Sequence, residues 1–95
     1  MSTQKENLLP VEVEKGMFSN EYAVKINIQG HLVGTLFVHD SLIRRHANKS
    51  YLRIHSIFSS KTKNNKDVLL PTEIMETGTR WISIPVGELV QDDFK

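Results

Sequence analysis

Apolar and polar positions alternate along most of this chain, and a period of two marks strands with one dry and one wet face. Val11 and Val13 alternate with Glu12 and Glu14, which predicts a first strand. Tyr22, Val24, Ile26 and Ile28 alternate with Ala23, Lys25, Asn27 and Gln29, the cleanest run in the sequence. Gln29-Gly30-His31 then reads as a tight turn, because Gly30 tolerates a positive φ. Residues 32–39 are apolar on both sides, Leu32, Leu36 and Val38 on one and Val33 and Phe37 on the other. That strand is expected to be the most buried. Gly34 inside it predicts a bend or a bulge.

The period breaks at residues 40–49. Asp40 or Ser41 can cap a short helical turn. Leu42, Ile43 and Ala47 would face the core, and Arg44, Arg45 and Lys49 would lie towards the turn's negative end. Alternation resumes from Tyr51 to Ser60, with Leu52, Ile54 and Phe58 on one face and Tyr51, Arg53 and His55 on the other. Residues 61–67 are polar and basic and read as a hairpin loop. Val68-Leu69-Leu70 runs into Pro71, which restricts that strand to an edge or a bulge. Glu76 to Thr79 is a second turn, residues 80–85 a strand stopped by Pro85, and residues 86–90 a 3-10-like turn.

This order gives about five to six strands, one short helix and a C-terminal 3-10 turn, with no βαβ unit. A mostly β, small antiparallel barrel of the SH3-like kind is the architecture it predicts. Ninety-five residues suffice for one core, placed in residues 8–95 with residues 1–7 as a disordered N-terminal tail. No cysteine is present, so packing rather than disulfides must hold the fold. No signal peptide or membrane-spanning run is visible, and a cytoplasmic location is expected.

Charge changes the picture more than composition does. The net charge is +1, yet residues 41–66 hold seven basic groups and no acid, and residues 67–95 hold two basic groups and six acids. Such asymmetry points to an electrostatic partner rather than to a fold. A ring flanked by cations is how small β domains hold nucleic acid: the ring stacks a base and the cations neutralise phosphates. The candidate nucleic-acid site is Arg44, Arg45, Lys49, Tyr51, Arg53, His55, Lys61, Lys63 and Lys66. An alternative is a protein-interaction or self-associating module that uses exposed Met17, Phe18 and Trp81. Trp81 would point away from Ile82 and Ile84, where a tryptophan can anchor a partner.

Catalysis finds little support. His39-Asp40-Ser41 holds the residue types of a hydrolase triad, but neighbours on a strand point to opposite faces and there is no glycine elbow around Ser41. His31, His39, His46 and His55 lack the close pairing of metal ligands, and no glycine-rich phosphate loop is present. The sequence therefore predicts a non-catalytic binding module with no cofactor and no metal. Its partner would be nucleic acid, another protein or a second copy, and not a membrane.

Overall fold

The computed structural model describes residues 7–54, 56–59 and 64–92. Nine strands run through them: β1 (Asn7–Lys15), β2 (Glu21–Ile28), β3 (His31–His39), β4 (Ile43–His46), β5 (Lys49–Ile54), β6 (Ser56–Ser59), β7 (Asn65–Leu69), β8 (Trp81–Pro85) and β9 (Val90–Gln91). The chain is mostly β, as the alternation predicts, but with more strands than expected, since β4 and β9 are added and residues 51–59 divide between β5 and β6. Asn7, assigned by sequence to the tail, already pairs with Ile54 and Gln91.

All pairings are antiparallel, and β1 organises the larger sheet. Its first half pairs with β5 and its second half with β2, giving the order β3-β2-β1-β5-β4, with β9 also on β1. A second sheet has the order β6-β7-β8. The two sheets are not closed into one ladder, so the expected barrel is not shown. Between them lies the core, where Leu9, Val24, Ile26, Leu36 and Leu52 meet Val68, Leu70, Ile74 and Ile84.

Two hairpins show how local chemistry sets register. Gln29 and Gly30 have φ values of 52° and 83°, and Ala47 and Asn48 of 51° and 65°. Two left-handed residues in succession suit the right-handed twist of paired strands. The second hairpin overturns the expected helix at 40–49. Only Asp40–Leu42 forms a 3-10 turn, and the chain then enters β4 and turns back into β5. Ile43 does reach the core, but Ala47 is exposed in the turn. His39, rather than Asp40 or Ser41, caps the 3-10 turn by accepting from the Ser41 amide. Arg44, Arg45 and Lys49 consequently stand on strands, Arg44 two residues past the end of the 3-10 turn.

The irregularity expected at Gly34 is present. The β2–β3 register shifts between Ile26 and Asn27, leaving Val33 as the extra residue. One extra residue reverses the alternation, so Leu32 sits opposite Asn27 and is 58 % exposed instead of buried. Gly34 is also where the segment after β7 closes on β3. A Cβ there would overlap Ile74 Cγ2. Beside it, the Met75 amide donates to the Thr35 carbonyl at 2.8 Å, and the Thr35 amide donates to Glu76 Oε1 at 2.8 Å. The free edge of β3 is thus met at Thr35 by one amide and one carboxylate.

The edge of β8 is guarded differently. Leu70 N–H bonds the Arg80 carbonyl and Val86 N–H the Asn64 carbonyl, so even-numbered residues of β8 face β7 and odd-numbered ones face outward. Of the outward amides, that of Trp81 donates to Thr79 Oγ1 at 3.1 Å, and Pro85 has none.

Candidate functional site

Cross-strand register sorts the basic residues onto faces. Arg44 lies opposite Tyr51, His46 opposite Lys49, Leu8 opposite Arg53 and Pro10 opposite Tyr51. Directly opposed residues share a face, so Arg44, His46, Lys49, Tyr51 and Arg53 are gathered on the outward face of β1, β5 and β4. Leu9, Leu52 and Ile43 form the inward face. Arg45 belongs to the inward series, at the end of the sheet, where its guanidinium lies 5.1 Å from the centre of the Tyr22 ring. Cation–ring contact of this kind holds the side chain against β2.

The outward face is not a bare stacking platform. Tyr51 was expected in solvent but is 7 % exposed, and Leu8 beside it is fully buried. Both lie outside the main core cluster, on the opposite face of the sheet from Leu9 and Leu52. The chain returns over this face because β9 pairs Gln91 with Asn7 and so delivers Asp92. Arg44 Nε donates to both carboxylate oxygens of Asp92, at 3.3 and 3.2 Å. Arg53 Nη1 lies 3.9 Å from Asp92 Oδ2. Two backbone carbonyls fix the guanidinium groups: Arg53 Nε donates to Ser41 O at 3.1 Å and Arg44 Nη1 to Arg45 O at 2.8 Å.

No match is found among protein-family models, curated proteins or solved structures. Function must be read from the geometry.

The remaining basic residues divide. Lys49 is exposed beside the Ala47-Asn48 turn. Lys66 lies on β7 opposite Ile84, on the other sheet from Arg44 and Arg53. His55, Lys61 and Lys63 lie outside the described residues. Further along β1, Glu12 is in register with Lys25, and Lys25 Nζ is 3.1 Å from Glu14 Oε1. The acids there face their own cation. The sequence pattern shows Tyr51 and Arg53 on one face, but Asp92 and His46 escape it: strand alternation carries no signal for a carboxylate thirty-nine positions after Arg53.

The apolar candidates stand apart from this face. Met17 is 88 % and Phe18 70 % exposed, in the connection from β1 to β2. Phe18 borders a shallow concavity with Phe37, Val38 and His39. Trp81, 49 % exposed, belongs to the second sheet and points away from buried Ile84, as alternation predicts.

His39, Asp40 and Ser41 do converge, because the 3-10 turn removes the strand alternation. Ser41 Oγ and Asp40 Oδ1 each lie 3.0 Å from His39 Nδ1, and the Ser41 amide 3.1 Å from it. A proton relay needs the acid on one ring nitrogen and the hydroxyl on the other. Here all three crowd the same nitrogen, which makes a turn cap and not a nucleophile. Among the described residues no group of three or more His, Cys, Asp or Glu could hold a metal ion. No helix among them is long and apolar enough to cross a membrane.

Proposed function

We propose that the chain is a non-catalytic binding module that makes weak, sequence-tolerant contact with nucleic-acid phosphates through the hairpin β4–β5. An SH3-like arrangement is part of this proposal, supported by the succession β8, 3-10 turn Val86–Glu88 and closing strand β9. The observation that carries the reading is that Arg44, Lys49 and Arg53 share one outward face with His46, around a buried Tyr51. With Tyr51 buried, bases have no ring there to stack on, so the contact positions a backbone without reading sequence. Three phosphates neutralised on a single strand should cost about 20-fold in affinity between roughly 50 and 200 mM salt. Lys49→Glu, exposed and outside the Asp92 cluster, should weaken binding and leave thermal stability unchanged. No binding at low salt, or binding indifferent to salt, sinks the reading.

A second reading is contact with a protein or a second copy. Its specific support is the exposure of Met17 and Phe18 on one connection beside the Phe37 concavity. Adjacent exposed apolar side chains beside a concavity offer a partner an anchor. Light scattering should then show a dimer, or a pull-down should recover a partner protein, and Phe18→Ser should abolish either one with little dependence on salt. Trp81→Ala tests whether the second sheet takes part.

A further inference from the structure

We propose that Arg44 and Arg53 form an oxyanion site which the chain itself occupies with Asp92, so that a nucleic-acid backbone binds by displacing this carboxylate. The inference rests on the phosphate-contact reading and names what regulates that same face. Three features support it.

The site is built. Each guanidinium is oriented by a backbone carbonyl, Ser41 for Arg53 and Arg45 for Arg44, and both reach one carboxylate. The side chains of Asp92, Arg53 and Arg44 are 17 %, 27 % and 28 % exposed. A phosphodiester presents two non-bridging oxygens, as the carboxylate does, and guanidinium groups accept either.

Among the described residues, the occupant's backbone anchor is short. Asp92 follows a two-residue strand that makes two register pairs with β1. Elements this short open locally at small cost compared with whole strands. An incoming phosphate therefore competes with a carboxylate on a short tether and not with a folded element.

The face also continues beyond the pair. Lys49, Tyr51 and Arg53 occupy alternate positions of β5, which sets Lys49 about 13 Å from Arg53. A row of that length suits a linear polyanion better than a single small ion. Asp92 opposes such a ligand twice, by filling the guanidinium pair and by repelling a charge of its own sign.

Anisotropy of a short labelled single-stranded oligonucleotide tests this on the full chain. Asp92→Asn keeps the shape and removes the charge, and should tighten binding by up to about fivefold by raising the fraction of molecules with the site open. Adding Arg53→Gln should reverse the gain. Equal, salt-sensitive binding by parent and Asp92→Asn overturns the competitor role while leaving the phosphate reading intact. No binding by either at low salt removes both. In case the variant fails to fold, the parent protein gives a second readout by nitrogen-15 NMR. Saturating oligonucleotide should shift the Asp92 amide together with the Arg44 and Arg53 Nε–H signals. Arginine shifts with an unmoved Asp92 amide overturn the proposal.

Discussion

Two carboxylates reach from the last third of the chain back to the larger sheet, Glu76 to the edge of β3 and Asp92 to the hairpin β4–β5. Glu76 accepts from a backbone amide, that of Thr35. Its neighbours lock the arrangement, with Ile74 seated where Gly34 has no side chain and Met75 bonded to the Thr35 carbonyl. Asp92 bonds to side-chain cations instead. A single strand-edge amide offers an anion one neutral donor, whereas paired guanidinium groups take any well-placed oxyanion. The same chemical group thus serves as a fixed stitch in one place and an exchangeable one in the other.

The largest effect that would break this comparison is expected at Gly34. Gly34→Ala places a Cβ against Ile74 Cγ2, and overpacking of this kind costs about 1–3 kcal/mol. Thermal unfolding should show a fall of several degrees in Tm. An unchanged Tm would mean that the 74–76 segment does not close on β3.

Glu76 comes next, and its signature is in pH. The Thr35 amide, ahead of Glu76's own backbone amide, holds the Glu76 carboxyl below its ordinary value. Folding then binds fewer protons than unfolding, so the contribution is complete above the ordinary carboxylate range and disappears as pH falls through the lowered value. Glu76→Gln should lower Tm at neutral pH, and the gap to the parent should close in strong acid. A gap that widens on acidification contradicts the assignment.

Asp92→Asn sharpens the contrast through salt. An ion pair of two partly exposed side chains is worth about 1 kcal/mol or less, so the loss of stability should be small at low salt and shrink further as salt is added. The Glu76→Gln gap should respond less. Smallest of all is Ala47→Gly. Ala47 holds a φ of 51°, a left-handed conformation that costs a non-glycine residue about 1 kcal/mol. Relief of that strain is partly offset by the greater freedom of glycine in the unfolded chain. Chemical denaturation should show a gain of under about 1 kcal/mol in the hairpin variant.

Where sequence served well, a local rule and the tertiary environment agreed. The alternation from Tyr22 to Ile28, the left-handed turn at Gly30, the irregularity at Gly34, the outward Trp81 and the late 3-10 turn are all present. Residues 40–49 misled because Ile43–His46 is too short to display a period, and Ala47-Asn48 lacks the glycine that usually marks a two-residue turn. Leu32 changed sides because one inserted residue upstream of Gly34 inverts every position beyond it. At the candidate site, alternation places Tyr51 and Arg53 together correctly. It says nothing of what covers them, since Asp92 arrives through tertiary pairing of β9 with β1.

Pro85 and Thr79 have a consequence for assembly. With the first offering no amide and the second holding that of Trp81, the outer rim of β8 presents Ser83 as its one outward amide left to a newcomer. Growth of this sheet by templated addition of strands, the route to fibrils, is therefore disfavoured at that rim.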